Sequence, residues 1–133
     1  MPQLEWDEAD VVGFLEVIPE VEEYEVSHVF LVERDGVSLK LEIWQLESVA
    51  QLTLLNPDGS VITEYCLFIH GGVEWIKREN EHLIFRSCYL APRRFSYTLD
   101  KALIENNAQC RVLNVTISIR PSINIVLTEM GSA

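Results

Sequence analysis

Residues 26–46 read VSHVFLVERDGVSLKLEIWQL. Two alternating runs, Val26 to Arg34 and Val37 to Leu46, flank Asp35-Gly36. An Asp-Gly pair between such runs supports the positive φ angles of a two-residue type I′ turn, so the stretch reads as a β-hairpin. The turn then sets the register. Val32 faces Leu39, Phe30 faces Leu41 and His28 faces Ile43 on one side; Leu31 opposes Lys40, Val29 opposes Glu42 and Ser27 opposes Trp44 on the other. One face is dry and the other half-dry, which suits a sandwich sheet with something lying over its outer side. The segment upstream of the hairpin is the expected cover.

Downstream, strand signals continue to the end of the chain. Val49 to Leu55 leads into Asn56-Pro57-Asp58-Gly59, a type I turn with glycine in the left-handed position. Val61, Thr63, Tyr65, Leu67 and Ile69 alternate along one strand face until Gly71-Gly72 breaks the run. Glu74 to Lys77 and His82 to Leu90 form a further pair about Glu79-Asn80-Glu81. Asp100 to Asn107 reads as one or two helical turns packed by Leu103 and Ile104. Arg111 to Ile119 and Ile123 to Leu127 close the series around Arg120-Pro121-Ser122. About eight short strands at hairpin spacing predict a mainly-β fold: an antiparallel β-sandwich with one short N-terminal helix packed on it.

Upstream, Asp7 is placed as a helix N-cap, with Trp6 and Val11 spaced for a hydrophobic staple. Val11, Phe14, Leu15 and Ile18 follow helical spacing, and Glu8 and Asp10 sit in the first turn, where carboxylates favour the helix dipole. Gly13 weakens the helix and Pro19 stops it. The expected organisation is a single domain over 1–133: an acidic helix and connector to residue 25, a sandwich over 26–128 and a flexible tail from 129. With 133 residues and 48% hydrophobic composition the chain can bury a real core.

Charge is strongly segregated. The first 33 residues hold ten Asp and Glu and no Lys or Arg, so −10 of the net −11 lies in the first quarter of the chain. Such a field repels nucleic acid and anionic membrane and favours a basic protein surface. A basic stretch, Lys77, Arg78, Arg86, Arg93, Arg94 and Lys101 with Phe95 and Tyr97, opposes it in sign, but an acidic chain lacks the usual nucleic-acid footprint. No apolar run nears the ~18 residues of a membrane span. The acidic start, without a basic leader before an apolar stretch, predicts a cytoplasmic protein, and three cysteines without a CxxC pair predict reduced thiols.

No phosphate loop, nucleophile elbow or other cofactor motif is present, so no cofactor is expected. Cys66 with His70 and His82 with Cys88 share strand parity in pairs and would form a Cys2His2 zinc cluster if their strands met. Tight knuckle spacing, the usual mark of structural zinc, is missing. His28, on the dry face, is a candidate general base, although no nucleophile sits visibly beside it. A small metal- or ligand-binding sandwich using His28, His70, His82 and Cys66, with hydrolase chemistry as its extension, is therefore the second reading of the chain.

The first reading is a non-enzymatic protein-binding domain. Its contact residues are the connector acids Glu20, Glu22, Glu23 and Glu25, with Trp6 or Trp44 as an aromatic anchor. Trp44, Leu46, Val29 and Leu31 would mark an interface if uncovered. In composition the chain is similar to bacterial immunity proteins, which are small, acidic and held against cationic toxins; that likeness implies a basic protein partner and an inhibitory role. Homo-oligomers through sheet edges are compatible with either reading.

Overall fold

The computed structural model describes residues 4–21, 27–77, 80–91 and 112–129. The hairpin is its reference element. Strands His28–Arg34 and Val37–Trp44 pair with His28 opposite Ile43, Phe30 opposite Leu41 and Val32 opposite Leu39. Asp35 and Gly36 both have positive φ, 53° and 81°, as a type I′ turn requires.

In chain order the elements are α1 (Glu8–Leu15), β1 (Glu20–Val21), β2 (His28–Arg34), β3 (Val37–Trp44), β4 (Val49–Leu55), β5 (Val61–Ile69), β6 (Val73–Ile76), β7 (His82–Ala91), β8 (Val112–Ser118) and β9 (Asn124–Glu129). The strands form one antiparallel nine-stranded sheet, ordered β1-β2-β3-β4-β5-β7-β8-β9, with β6 also paired to β7. The eight strands expected from the sequence are all present. The ninth, β1, lies where an irregular acidic connector was expected: Glu20 and Val21 pair with Val29 and His28, because the edge of β2 offers free backbone groups there. The turn at 100–107 falls outside the described residues.

One face of the sheet is the core. Phe30, Val32, Leu39, Leu41, Ile43, Ala50, Leu52, Leu67, Phe85, Val115 and Ile117 are buried in a single cluster that also takes Val11, Phe14 and Leu15 of α1. Burying each large side chain of this set is worth roughly 1.5–3 kcal/mol. Many strands and a two-turn helix share one core only if the sheet curves around it. The result is an open, curved sheet with the helix inside the curve, consistent with a β-sandwich.

The helix therefore covers the inner face, not the outer face as the hairpin pattern suggested. Its Phe14 meets Trp75 edge-on, and Gly13 leaves room for that ring, since a Cβ there would stand 2.9 Å from Trp75 Cζ3. The helix stops earlier than its apolar spacing implies. Glu16 turns left-handed (φ 59°) and returns its N–H to Val12, so Ile18 lies past the helix end and is exposed.

The sheet bends at one corner. Between β5 and β6 the chain breaks at Gly71-Gly72, and opposite them the β7 register shifts between Phe85 and Cys88, with Ser87 at φ 54°. Gly71 N and His70 N donate to Arg86 O and Ser87 O, and Arg86 N donates to Gly72 O. This is a β-bulge, and it inverts parity along β7: Leu83, Phe85 and Cys88 all point into the core.

Candidate partner-binding surface

Before α1, residues Leu4–Asp7 form a strap across the end of the sheet. Leu4 N donates to Gln45 O and Val73 N donates to Glu5 O, each at 2.9 Å. Trp6 Nε1 donates to Gln45 Oε1 at 3.2 Å. The half-buried Trp6 ring stands edge-on to His28 (centroids 5.0 Å apart) and to Phe30 (6.4 Å). Asp7 then caps α1, its Oδ1 accepting from Ala9 N at 2.9 Å. The expected N-cap is in place, and Trp6 is packed at the core boundary.

His28 is only 3% exposed. Its Nε2 meets Glu8 Oε2 at 2.7 Å, so the first turn of α1 is tied to the start of β2. Among the described residues its Nδ1 has no hydrogen-bond partner. An imidazole enclosed in this way holds the helix in place and presents no open nitrogen to a substrate.

The acids are distributed about this end. Glu5, Asp7, Glu8 and Glu16 are exposed on the strap and helix, and Glu20 is exposed on β1. Glu22, Glu23 and Glu25 lie outside the described residues. Among the described residues Arg120 bridges Glu16 (2.6 Å) and Glu81 (3.3 Å), Arg86 holds Glu74 at 2.6 Å, and Lys40 meets Glu42 at 3.2 Å. Lys77 sits 4.4 Å over the Trp75 ring. Arg78, Arg93, Arg94 and Lys101 of the basic stretch are outside the described residues. Exposed ion pairs such as these add little stability, about 0–1 kcal/mol each.

Between the strap and the corner of the sheet lies an open cleft of about 360 Å³. Its lining is mainly apolar, with Trp6 and Val73, and carries the carboxylates of Glu5, Asp7 and Glu74 beside Arg86. Gly72 makes it possible. At φ +86° its backbone passes so close to the strap that a Cβ would stand 2.9 Å from Glu5 O. The double glycine is visible in the sequence as a break, but nothing there indicates which segment lies against it.

Trp44 lies on the other face. It packs, half-buried, with Val49, Cys66, Phe68 and Tyr89 in a small second cluster. Leu31 is 57% exposed and Leu46 43% exposed, so the outer face keeps apolar surface uncovered. Trp6 and Trp44 therefore belong to opposite faces and do not contribute to one flat contact.

The proposed zinc ligands are not brought together. Cys66 belongs to the outer cluster and Cys88 to the core, on opposite faces of the sheet, because the β7 bulge reverses the parity that would have joined His82 to Cys88. His82 is engaged by Asn80 O at 2.8 Å, and His70 lies against Tyr89. Among the described residues no group of three or more His, Cys, Asp or Glu is placed to hold a metal. The quartet His28, His70, His82 and Cys66 is likewise dispersed, from β2 to β7. Cys66 and Cys88 are free thiols, and burial pushes both pKa values up to about 12, away from the thiolate a nucleophile or ligand needs.

No protein-family model matches the chain, and no curated protein matches it. Among solved structures, a chain of the contact-dependent growth inhibition toxin–immunity protein complex from Klebsiella pneumoniae 342 is similar, with a TM-score of 0.68. The two are 15% identical, and the alignment covers 98% of this chain and 100% of that one. At that identity the likeness is one of fold, extending over the whole of both chains.

Proposed function

We propose that this chain is an immunity-type protein: in the cytoplasm it binds a basic toxin through its acidic N-terminal surface and keeps it inactive. The observation that carries the reading is the segregation of charge, ten acids and no base in residues 1–33, on a fold shared end to end with a chain of a toxin–immunity complex. Of the two roles in such a complex, the acidic binder is the one that the charge supports. A concentrated negative field draws a cationic partner in quickly, and a carboxylate laid over a basic active surface competes with the anionic substrate for the same site.

In this reading Glu20 and the connector acids Glu22, Glu23 and Glu25 meet the basic surface, and, because Glu20 pairs with Val29 on the outer face that also carries Trp44, Trp44 is the aromatic contact there. Trp6, packed against His28 and Phe30 on the inner face, lies instead beside the strap acids Glu5 and Asp7 and marks a second contact. The test is growth rescue against the product of the neighbouring gene, expressed as the candidate toxin. Co-expression of the chain should restore growth of intoxicated cells, and purified chain should bind the toxin more weakly as salt rises from about 0.05 to 0.5 M. Glu20→Gln/Glu22→Gln/Glu23→Gln/Glu25→Gln should weaken binding at least about tenfold. No protection and no binding would end the reading; binding indifferent to both salt and this variant would remove the acidic surface from it.

A further inference from the structure

We propose that the cleft beneath the N-terminal strap receives one arginine side chain of the basic partner; this deepens, and rests on, the immunity-type reading. The cleft has the two parts such a side chain requires. Trp6 and Val73 supply apolar surface for the methylene stem, and Glu5, Asp7 and Glu74 supply carboxylates for the head. One of these carboxylates already holds a guanidinium. Arg86 places Nη2 at 2.6 Å and Nε at 3.2 Å from Glu74 Oε1. With Arg86 the single base of the lining, two negative charges stay uncompensated there. Among the described residues Glu5 has no ion pair, and Asp7 commits one oxygen to Ala9 N. The partial positive charge at the start of α1 opposes a cation, but that helix is two turns long and its first turn carries Glu8 and Asp10. Charge complementarity and the apolar stem surface together favour a long basic side chain. The half-buried Trp6 ring in the lining favours guanidinium over ammonium, because a planar cation stacks as well as pairs.

The direct test titrates the isotope-labelled protein with N-acetyl-arginine amide, using N-acetyl-glutamine amide as control, and follows amide resonances. The Trp6 indole N–H and the Gly71, Gly72 and Val73 amides should shift together and saturate with arginine and stay in place with glutamine. In Glu5→Gln/Asp7→Asn, where asparagine keeps the helix cap, the saturable shift should vanish while the rest of the spectrum is unchanged. Absence of a saturable shift, or the same shift in the variant, overturns the proposal. The second arm measures toxin affinity. A loss of about tenfold or more in Glu5→Gln/Asp7→Asn supports the cleft, and wild-type affinity in that variant overturns it while leaving the immunity reading standing. A toxin that does not bind wild-type protein ends the immunity reading, and the arginine titration then decides the cleft alone.

Discussion

Gly72→Ala probes the strap most sharply. Alanine at φ +86° costs about 1–2 kcal/mol in backbone strain alone. Its Cβ would also stand 2.9 Å from Glu5 O, a backbone atom that moves only if the strap moves. Displacing the strap breaks the hydrogen bond from Val73 N to Glu5 O, worth about 0.5–1.5 kcal/mol, and loosens the buried Leu4. The expected loss is about 2–4 kcal/mol in all. Gly59→Ala is the internal control: at φ +88° it carries the same strain, and no atom lies within 4 Å of its Cβ. Urea unfolding of the two variants should place Gly72→Ala about 1–2 kcal/mol below Gly59→Ala. Hydrogen exchange should show faster opening of the Val73 amide in the first only. Equal destabilisation of both, with Val73 protection unchanged, would refute the view that the strap is held against the corner.

Four further outcomes are expected. Glu8→Ala strands the buried Nε2 of His28 and should cost about 1–3 kcal/mol in chemical unfolding. Phe85→Ala opens the centre of the core and should cost about 3–5 kcal/mol, against a clearly smaller loss for Trp44→Ala on the half-exposed outer face. In a Cys110→Ser background, Cys66 and Cys88 should resist a disulfide reagent at pH 8 and react on unfolding. Their folded pKa of about 12 exceeds the unfolded value near 9, so the folded chain holds these protons more tightly. Stability should therefore be unaffected by the thiols below about pH 9 and fall as pH rises from there toward 12; Cys66→Ala/Cys88→Ala should lose that alkaline decline.

The fold was legible wherever the signal was local. Asp35-Gly36 dictates its own turn, and the turn dictates the pairing of His28, Phe30 and Val32, so hairpin, register and inner face all follow from the continuous stretch His28 to Ile43. Asp7 as a cap is equally local. What escaped the sequence depends on distance. That α1 covers the inner face shows only in the fold, where its Gly13 and Phe14 meet Trp75 of a distant strand. The parity of Cys88 depends on a single extra residue at Ser87, which no alternation pattern reveals in advance. The cleft joins Glu5 to Glu74 and Arg86, and only the folded sheet makes them neighbours. The acidic character of the N-terminal region, by contrast, is a property of composition and needs no structure to be seen.

The sheet order has a kinetic consequence. Nearly every strand pairs with the next along the chain, so hairpins can close one after another as the polypeptide lengthens, and the contact order is low for a β-rich fold. The strap is the exception. Trp6 waits for Gln45, 39 residues on, and Glu5 waits for Val73, which must already be paired with Phe85 to offer a fixed edge. The strap is thus made ahead of the residues that hold it and is seated only once the corner has formed. Until the corner forms, the carboxylates of Glu5 and Asp7 stay in water beside apolar strands that are still incomplete, where like charge opposes association between unfinished chains.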